Sequence, residues 1–591
     1  MSIRQEYLRW VSDLGRTHTN GRSVCEWLHL EGNLSFWWMT LIAEKEPIKS
    51  RGIFDVFKLR VLETMMRQHG CTHLIYAGPD SRLDEIFGNW AKSAPGRRYQ
   101  RWHRVSLGRS NESLLRRVRK RVVPHGIEAI GYLLSKIWLR SRCPPVDRRT
   151  LPRPRFESEV TITAFFPNID LSLAKQGRFW SRYWEGLHPM LDELPVTVNW
   201  LWTYAPSPES SFAEAVKFRD RCNASDPAKY RQFIYEEFIS TGTVLKALRL
   251  YAELRRRGRC LVGREVQAAF RFDKDGFQFY PLLRSDWLSS LRGVVAMQSV
   301  LHVAVAEAVA NQLPARPWAL FVWENQPFEL ALVAAWRRLR RFTIGAQHSA
   351  LRRLELRSFA DLSEYTEAGR PDGRPMADVL AANGSGAESL LREAGYPANR
   401  LTITEALRYT NLPVHPRQTV PPETGALLVI TGYRATEVSF QLSILLTAAQ
   451  KGLLQPFPRI VVKPHPMAPV ATIVEFEGLK RALGDRLEIS NRSLGELWPG
   501  AARVFAANST SSAIEAIYEG LPVAVCGAND EMNLSPLFGD PRVPMIGDCE
   551  ALADFLRQPT IPREFGNYFT IDPGLPRWRA LLNLTTLRPP S

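Results

Sequence analysis

The first residues that could do chemistry are Lys463 and His465, in the stretch Ile-Val-Val-Lys-Pro-His-Pro at residues 460–466. The three β-branched residues predict a buried strand, and the two prolines prevent that strand from continuing. Both side chains should therefore stand on a stiff loop at the carboxyl end of a strand. An imidazole and an ammonium group placed there can neutralise the charge of a departing phosphate, so we interpret this loop as part of a nucleotide site.

A second polar stretch follows a later predicted strand, residues 503–507. Its hydroxyl residues should open a helix that Gly520 closes, and hydroxyls beside the free N–H groups of a helix start suit a phosphate. Glu515 lies one turn into this helix, on the same face as Ser511 and Ser512. The residues predicted to bind the nucleotide are Lys463, Ser509, Thr510, Ser511, Ser512 and Glu515.

Candidates for acid–base chemistry come from the first half of the chain. A strand predicted at residues 342–345 leads to His348, and the preceding strand, residues 318–323, ends at Glu324. Ligands of open α/β sheets bind outside the carboxyl ends of the strands, so both side chains should face one crevice. His348 is the candidate base and Glu324 its rival, and His465 is the third predicted catalytic residue.

Two arginines of the same half are candidates for contact with a phosphate of the donor or the acceptor. Arg182 begins an Arg-Tyr-Trp run in a helix predicted over residues 179–194. Arg408 precedes residues 413–423, where four prolines predict a hinge between two domains.

Strands that alternate with helices predict parallel sheets covered on both faces. We expect an α/β protein with two Rossmann-like domains facing one cleft. Residues 1–415 would form the acceptor-side domain, with helical insertions at about 109–155 and 207–315, and residues 416–591 the donor-binding domain. The segment beyond residue 559 should cross back to the first domain. The charged run at residues 44–46, before Pro47, is interpreted as a solvated turn.

The net charge is +17 and the pI about 9.7, which fits nucleic acid, an anionic membrane surface or phosphorylated substrates. Neither a zinc-finger nor an RRM signature occurs, so we expect no nucleic-acid partner. Residues 116–121 hold five cations, and apolar residues recur at helical spacing between 127 and 138. This segment is predicted either to dock on anionic lipid or to place one face on the core and one in solvent.

Several absences narrow the functional class. The seven cysteines form no C-x-x-C pair, which favours a reducing cytoplasm, and the N-terminus has no signal-peptide core. No window approaches the roughly 20 apolar residues that a membrane helix needs. Glycine-rich dinucleotide and Walker loops are absent. One Asp-x-Asp triplet, Asp273-Lys274-Asp275, is interpreted as a solvated turn, so we expect no metal and no cofactor beyond the donor substrate.

The Lys-Pro-His-Pro stretch followed by Ser-Thr-Ser-Ser and a glutamate is similar to the donor half of GT-B glycosyltransferases that use CMP-activated sugars. Bacterial sialyltransferases, polysialyltransferases and capsule 3-deoxy-manno-octulosonic acid (Kdo) transferases show such motifs, and polyol-phosphate transferases of teichoic acid synthesis carry a similar pair. The resemblance implies that His465 contacts the donor phosphate and that Glu515 holds the ribose hydroxyls. His348 resembles the base of a Trp-His-Gly element, with Gln347 and Ser349 replacing Trp and Gly.

The chain also resembles a bacterial surface-carbohydrate biosynthesis family over most of its length. The motifs that carry this likeness are Ser-Phe-Trp-Trp at 35–38, Arg-Tyr-Trp at 182–184, Glu-Asn-Gln-Pro at 324–327, Gly-Ala-Gln-His at 345–348 and Glu-Ala-Leu-Arg-Tyr at 405–409.

Together these resemblances imply a metal-independent GT-B glycosyltransferase. It would move a sugar, such as Kdo or sialic acid, from its CMP form to a surface polysaccharide such as O-antigen or capsule. The glycan acceptor would be built on a lipid carrier at the inner face of the cytoplasmic membrane, which the enzyme would reach as a peripheral protein. The alternatives are transfer of a polyol phosphate from a CDP donor, or a noncatalytic nucleotide-sugar-binding partner of an envelope assembly complex.

Overall fold

A computed structural model describes residues 2–30, 34–102, 125–147, 149–166, 168–206, 211–366, 373–413, 420–465, 468–527, 531–558 and 568–587. Three features of the sequence analysis lie outside these residues. They are the cationic run at 116–121, the domain boundary predicted at 415, and Pro466.

The N-terminal region is mainly helical. Its helices are α1 (Ile3–Arg16), α2 (Val24–Trp27), α3 (Leu41–Glu44), α4 (Gly52–Gln68), α5 (Ser81–Lys92) and α6 (His125–Ser141). Its short strands are β1 (His18–Thr19), β2 (Arg22–Ser23), β3 (His73–Tyr76) and β4 (Arg98–Arg101). Trp10 and Trp37 are buried in one hydrophobic core together with side chains of the later helices.

The interpretation of residues 44–46 as a solvated turn is wrong. Glu44, Lys45 and Glu46 are all buried, and Lys45 is fully enclosed. The Lys45 ammonium group donates a hydrogen bond to the Ala43 carbonyl at 3.0 Å. Burial lowers the pKa of Lys45 to about 8. The tertiary fold wraps this charged run, and a local pattern of charges cannot predict such wrapping.

The first sheet has seven parallel strands in the order β11-β10-β9-β8-β5-β6-β7. Its strands are β5 (Glu159–Phe166), β6 (Thr197–Tyr204), β7 (Tyr230–Ile234), β8 (Trp318–Val322), β9 (Phe342–Ala346), β10 (Val379–Ala382) and β11 (Leu401–Ile403). The sequence analysis places β7 inside a helical insertion and assigns no strand at β10 or β11. These strands are short and lie at or near the sheet edges, where the apolar signal is weak.

The helices of this half lie around the sheet. They are α7 (Leu171–Lys175), α8 (Leu187–Glu193), α9 (Phe212–Ser225), α10 (Thr241–Gly258), α11 (Arg264–Ala268), α12 (Tyr280–Arg292), α13 (Val294–Gln312), α14 (Pro327–Arg338), α15 (Leu362–Thr366) and α16 (Ser385–Glu393). The helix predicted over 179–194 is instead a 3₁₀ turn, Arg182–Trp184, followed by α8.

One helix of the described residues, α13, is long and apolar enough to cross a membrane by length and composition alone. The sequence analysis did not anticipate it. Most of its apolar window, 61%, is buried inside the protein, and α13 packs against α6, α10 and α14. It therefore has the properties of a core helix.

The second sheet has six parallel strands in the order β14-β13-β12-β15-β16-β17. They are β12 (Ala426–Ile430), β13 (Arg459–Lys463), β14 (Leu487–Ile489), β15 (Ala501–Ala506), β16 (Val523–Cys526) and β17 (Met545–Ile546). The accompanying helices are α17 (Ala435–Gln450), α18 (Val474–Leu483), α19 (Leu494–Leu497), α20 (Ser512–Tyr518) and α21 (Cys549–Arg557). Two parallel sheets with covering helices confirm the predicted α/β fold class.

The C-terminal helix α22 (Pro576–Leu587) packs on the first sheet's core. Trp578 and Leu582 are buried there beside strands of the first sheet. The Glu405 carboxylate accepts the backbone N–H groups of Arg577 and Trp578, both at 3.1 Å, and its carbonyl accepts the Trp578 indole N–H at 2.8 Å. The chain therefore returns from the second sheet to the first.

Candidate active site between the two sheets

The carboxyl ends of the two sheets meet through direct contacts. The loop after β9 carries His348 and Arg352, and the loop after β15 carries Ser509. The Arg352 guanidinium donates to the Ser509 carbonyl at 3.0 Å. On the second side, Tyr409 stacks on Phe569, with ring centroids 4.0 Å apart. These loops form one polar cleft, where parallel sheets of this kind bind ligands.

His348 lies at the centre of the first side of this cleft. Its ring lies 4.3 Å from that of Tyr183, centroid to centroid, and its Nε2 is 3.6 Å from Glu324 Oε1. That separation is longer than a hydrogen bond. Burial, with the nearby Arg408 charge as the next cause, lowers the pKa of His348 to about 3. The imidazole is therefore neutral at neutral pH, and the same burial makes it a weaker base than a free histidine.

The buried carboxyl group of Glu329 holds the loop that carries Glu324. Asn325 takes a left-handed backbone conformation with φ 55°, and the Glu329 carboxyl accepts the N–H groups of Glu324 at 2.8 Å and Gln326 at 3.4 Å. Burial and the neighbouring Glu324 charge raise the pKa of Glu329 well above its usual value. This sharp turn directs the chain at the end of β8 so that Glu324 faces His348.

Arg357 joins three carboxylates in the cleft. It pairs with Glu355 at 2.9 Å, Glu46 at 3.3 Å and Glu324 at 3.7 Å. The sequence analysis did not predict Arg357 or Glu46 as site residues. Neither follows a predicted strand end, and strand ends are the signal that identified Glu324.

Arg408 faces the cleft without a carboxylate partner. Its side chain is exposed to solvent, although both sides of the cleft flank it, and its closest described ring contact is Tyr409 at 5.6 Å. No described carboxylate lies within salt-bridge distance of it. Its charge acts on Glu515 of the second side and on Tyr183 and His348 of the first. A cation placed this way can receive an anionic ligand.

The hydroxyl residues before α20 divide into two groups. The Glu437 carboxylate accepts both the hydroxyl and the backbone N–H of Ser509, each at 2.7 Å, and Ser509 is buried. Thr510 accepts the Ser512 N–H at 3.3 Å. Ser509 thus anchors the loop through Glu437, an interaction that the sequence pattern does not predict.

Ser511, Ser512 and Glu515 form the second group, near Tyr409 and Arg408. Ser511 lies beside Tyr409, and Ser512 lies beside Glu515. The Ser511 hydroxyl does not cap α20. Burial raises the pKa of Glu515, and the Arg408 charge opposes that rise. The predicted helix face therefore does meet Arg408.

His465 sits on the second side of the cleft. Its N–H donates to the Thr431 hydroxyl at 3.0 Å, and its ring lies 5.9 Å from Tyr433. Burial lowers its pKa. The Arg352 and Glu46 charges of the first side act on Tyr433, the ring that neighbours His465.

Two predicted site residues show no described contact with this cluster. Arg182 is exposed, and the charge it affects is that of Asp170. Lys463 is half-buried, and its charge acts on Glu496 at the start of α19. Their predicted contacts with phosphate stay predictions.

No group of three or more His, Cys, Asp or Glu side chains among the described residues could hold a metal ion. Asp273 of the Asp-x-Asp triplet is paired with Arg60 at 2.7 Å and Arg67 at 2.6 Å. Its carboxylate therefore braces α4, and the triplet is more than the solvated turn that its sequence indicates.

No family model matches the chain, and no curated protein matches it. Among solved structures, a UDP-GlcNAc 2-epimerase from Methanocaldococcus jannaschii, solved with UDP-GlcNAc and UDP, aligns with 72% of this chain and 99% of its own, at 11% identity and a TM-score of 0.38. The Neisseria meningitidis UDP-GlcNAc 2-epimerase bound to UDP-GlcNAc aligns over 73% of this chain and 99% of its own length, at 9% identity and a TM-score of 0.37. Acinetobacter baumannii MurG aligns over 67% of this chain and 82% of its own length, at 10% identity and a TM-score of 0.30. Likeness this distant assigns no function to this chain.

Proposed function

We propose that the chain is a GT-B-type glycosyltransferase that binds a nucleotide sugar in the cleft between its two sheets. The observation that carries the proposal is Arg408, a cleft cation with no carboxylate within salt-bridge distance among the described residues. It lies between Glu515 on one side and Tyr183 and His348 on the other. A cation without a counter-ion in a cleft is suited to a phosphate. Carboxylate and hydroxyl groups beside it suit a ribose.

In this proposal the two sides of the cleft have separate roles. Arg408 and His465 meet the donor phosphate, and Glu515 with the Ser511 and Ser512 hydroxyls meets the ribose. His348, neutral at neutral pH, takes the proton of the acceptor hydroxyl as that oxygen bonds to the anomeric carbon of the sugar. The bond from the anomeric carbon to the phosphate oxygen breaks, and the nucleotide leaves with both bonding electrons.

Glu324 supports His348 as a base. Its Oε1 lies 3.6 Å from Nε2, close enough to stabilise the imidazolium that forms after proton transfer. Arg357 pairs with the Glu324 carboxylate and orients it. The donor that we propose is a CMP-activated 2-keto acid sugar, and the acceptor is a bacterial surface glycan. This choice rests on the motifs around His465 and Ser511.

The experiment is a thermal-shift panel of nucleotides on the full chain. CMP, CDP, UDP, GDP and UDP-GlcNAc are compared, and Arg408→Gln serves as the control for binding in the cleft. Stabilisation by CMP alone, lost in Arg408→Gln, is the expected result. A preference for UDP would overturn the choice of CMP donor. Stabilisation by no nucleotide would overturn the proposal. In a separate transfer assay, incorporation of a polyol phosphate from a CDP donor would favour the polyol-phosphate alternative.

We also propose that the protein works in the cytoplasm at an anionic membrane surface, to which α6 docks. Four large apolar side chains of α6 are exposed at helical spacing. They are Ile127 (63% exposed), Ile130 (41%), Leu134 (59%) and Trp138 (53%). The Arg142 guanidinium lies 4.0 Å from the Trp138 ring, so a cation borders the apolar face. Exposed apolar stripes flanked by cations are typical of helices that lie in a lipid interface.

Liposome co-sedimentation tests this docking. The double variant Ile127→Glu/Leu134→Glu should not bind vesicles of anionic lipid, because it would place two charges in the apolar layer. Val474→Glu, at a side chain 87% exposed on the second domain, is the matched control and should bind as wild type does. Replacing the five cationic residues of 116–121 with glutamine should weaken binding mainly at low salt, by about 1 kcal/mol per cation. Equal binding by all variants would refute the docking.

A further inference from the structure

A second cavity, of about 230 Å³, lies beside β6 and β7 at the edge of the first sheet. The loop before the 3₁₀ turn Arg182–Trp184, the helix α8 and the end of α9 enclose it. The side chains that define its chemistry are Phe179, Trp180, His188, Asp192, Tyr230 and Gln232. None of them is part of the cleft described above.

Aromatic rings form one wall of this cavity. The Trp180 ring stacks on His188 with centroids 4.4 Å apart and planes 18° apart, and His188 stacks on Trp200 at 5.3 Å. Trp200 is fully buried, whereas Trp180 is half-buried at the rim. The stack therefore presents an apolar platform at the entrance and a fixed imidazole inside.

Two hydrogen-bond donors of the cavity wall have no described partner. His188 Nε2 accepts the Ser181 N–H at 2.9 Å, so the proton of the neutral ring is on Nδ1. Burial keeps that ring neutral by lowering its pKa to about 4. Gln232 Oε1 accepts the Trp202 indole N–H at 2.8 Å, which assigns its amide NH₂ to the other position. No described residue accepts from His188 Nδ1 or Gln232 Nε2, and neither atom is among the fully enclosed ones. Both donors are therefore able to bond a molecule in the cavity.

Acceptors and a balanced charge complete the cavity. Asp192 Oδ1 accepts the Tyr230 hydroxyl, which leaves its second oxygen for another donor. Asp226, also in the lining, pairs with Arg155 at 3.4 Å. The exposed Arg178 lies at the same rim. Carboxylates and guanidinium groups thus offset each other, so the cavity favours a neutral ligand over an ion.

We propose that this cavity is a saccharide-binding site that holds one ring of a neutral sugar. A sugar ring has apolar C–H faces that can pack on Trp180, and hydroxyls that both accept and donate hydrogen bonds. Those hydroxyls satisfy His188 Nδ1, Gln232 Nε2 and the free oxygen of Asp192. An aromatic wall with a few placed polar groups is the general form of a small-molecule site.

This saccharide site goes beyond the proposed transferase chemistry and does not depend on that chemistry. One short segment nonetheless connects the two places. Trp180 and His188 line the cavity, and between them Tyr183 packs on His348 in the cleft. A glycan bound in the cavity would lie on the same segment that supports the cleft.

The probes are the methyl glycosides of glucose, galactose, mannose and N-acetylglucosamine, with glucosamine as a cationic comparison. Saturation-transfer NMR and calorimetry on the full chain measure their binding. At least one neutral glycoside should bind in the millimolar range. Trp180→Ala should weaken it about tenfold or more through loss of the stacking surface. Asp192→Asn, which keeps the shape and removes the charged acceptor, should also weaken it.

Trp138→Ala is the matched control, because Trp138 is exposed on α6 and takes no part in the cavity. It should leave glycoside binding unchanged. Nucleotide thermal shifts should be the same in Trp180→Ala as in wild type, which separates this site from the cleft and shows that the variant folds. The proposal is overturned by absence of neutral glycoside binding, by binding of glucosamine alone, or by wild-type affinity in both Trp180→Ala and Asp192→Asn.

Discussion

Two arginines of the same cleft should respond in opposite ways when their charge is removed. Arg408 has no described carboxylate within salt-bridge distance, whereas Arg357 has Glu355 at 2.9 Å, Glu46 at 3.3 Å and Glu324 at 3.7 Å. Arg408→Gln should therefore lower nucleotide affinity and leave the fold intact. Arg357→Gln should destabilise the fold, because it leaves three carboxylates close together with no cation between them.

The magnitudes follow from those contacts. A hydrogen bond to a charged group is worth about 1.5–3 kcal/mol, so Arg408→Gln should weaken CMP binding about 10- to 150-fold. Its unfolding free energy should stay within about 0.5 kcal/mol of wild type. At an effective dielectric constant of about 20, an ion pair at 3–4 Å is worth roughly 4–6 kcal/mol before desolvation is subtracted. Removal of the one cation of a buried pair costs about 3–5 kcal/mol net, and about 3 kcal/mol is expected for Arg357→Gln, whose side chain is 17% exposed.

Calorimetry with CMP gives the affinities, and urea unfolding followed by tryptophan fluorescence gives the stabilities. Arg408→Lys is a useful third variant, because it keeps the charge and removes the forked donor geometry. It should retain more affinity than Arg408→Gln. Wild-type CMP affinity in Arg408→Gln would refute the assigned role of Arg408. Equal destabilisation by Arg408→Gln and Arg357→Gln would refute the view that only one of them is structural.

Three further predictions concern the histidines. His465→Ala should lower turnover about 10²- to 10³-fold, the scale seen when one donor to a developing anion is lost, with the fold preserved. His348→Ala should lower turnover about 10²- to 10⁴-fold with donor affinity nearly unchanged, because the base acts on the acceptor. In the third, burial lowers the pKa of His348 and His302 to about 3 and that of His188 to about 4, so the unfolded chain binds protons that the folded chain cannot. The free energy of unfolding should keep its full value above pH 6.5 and fall as the pH drops towards 4. Each histidine should lower it by up to about 1.4 kcal/mol for each pH unit.

Single-turnover kinetics with a CMP-sugar check the first two predictions, and urea midpoints between pH 7 and 5 check the third. Near-wild-type turnover would remove His465 or His348 from the mechanism, and for His348 would transfer the role of base to Glu324. His302→Asn is a control for the pH effect, since an amide does not titrate in this range. It should remove the share of one of the three histidines and make the pH dependence less steep. A wild-type midpoint that does not change with pH would contradict the prediction.

Local pattern was enough to locate most strands and the loops that follow them. Runs such as Ile-Val-Val before Lys463 are buried in β13, because β-branched residues between breakers have few alternatives to a central strand. The residue after such a strand is at the carboxyl edge whatever the rest of the chain does. The positions of Glu324, His348 and His465 just after strands could be predicted in this way, since they depend only on where each strand ends.

Contacts between distant parts of the chain decided the rest. The sequence could not predict that Glu437, 72 positions before Ser509, would accept both the hydroxyl and the N–H of that serine. It could not predict that residues 44–46 would be buried, or that Glu46 would meet Arg357. Whether a charge is solvated or paired depends on which elements pack around it, and that packing involves partners hundreds of residues away. The position of Arg408 between the two sheets has the same origin, because it depends on how the two sheets meet.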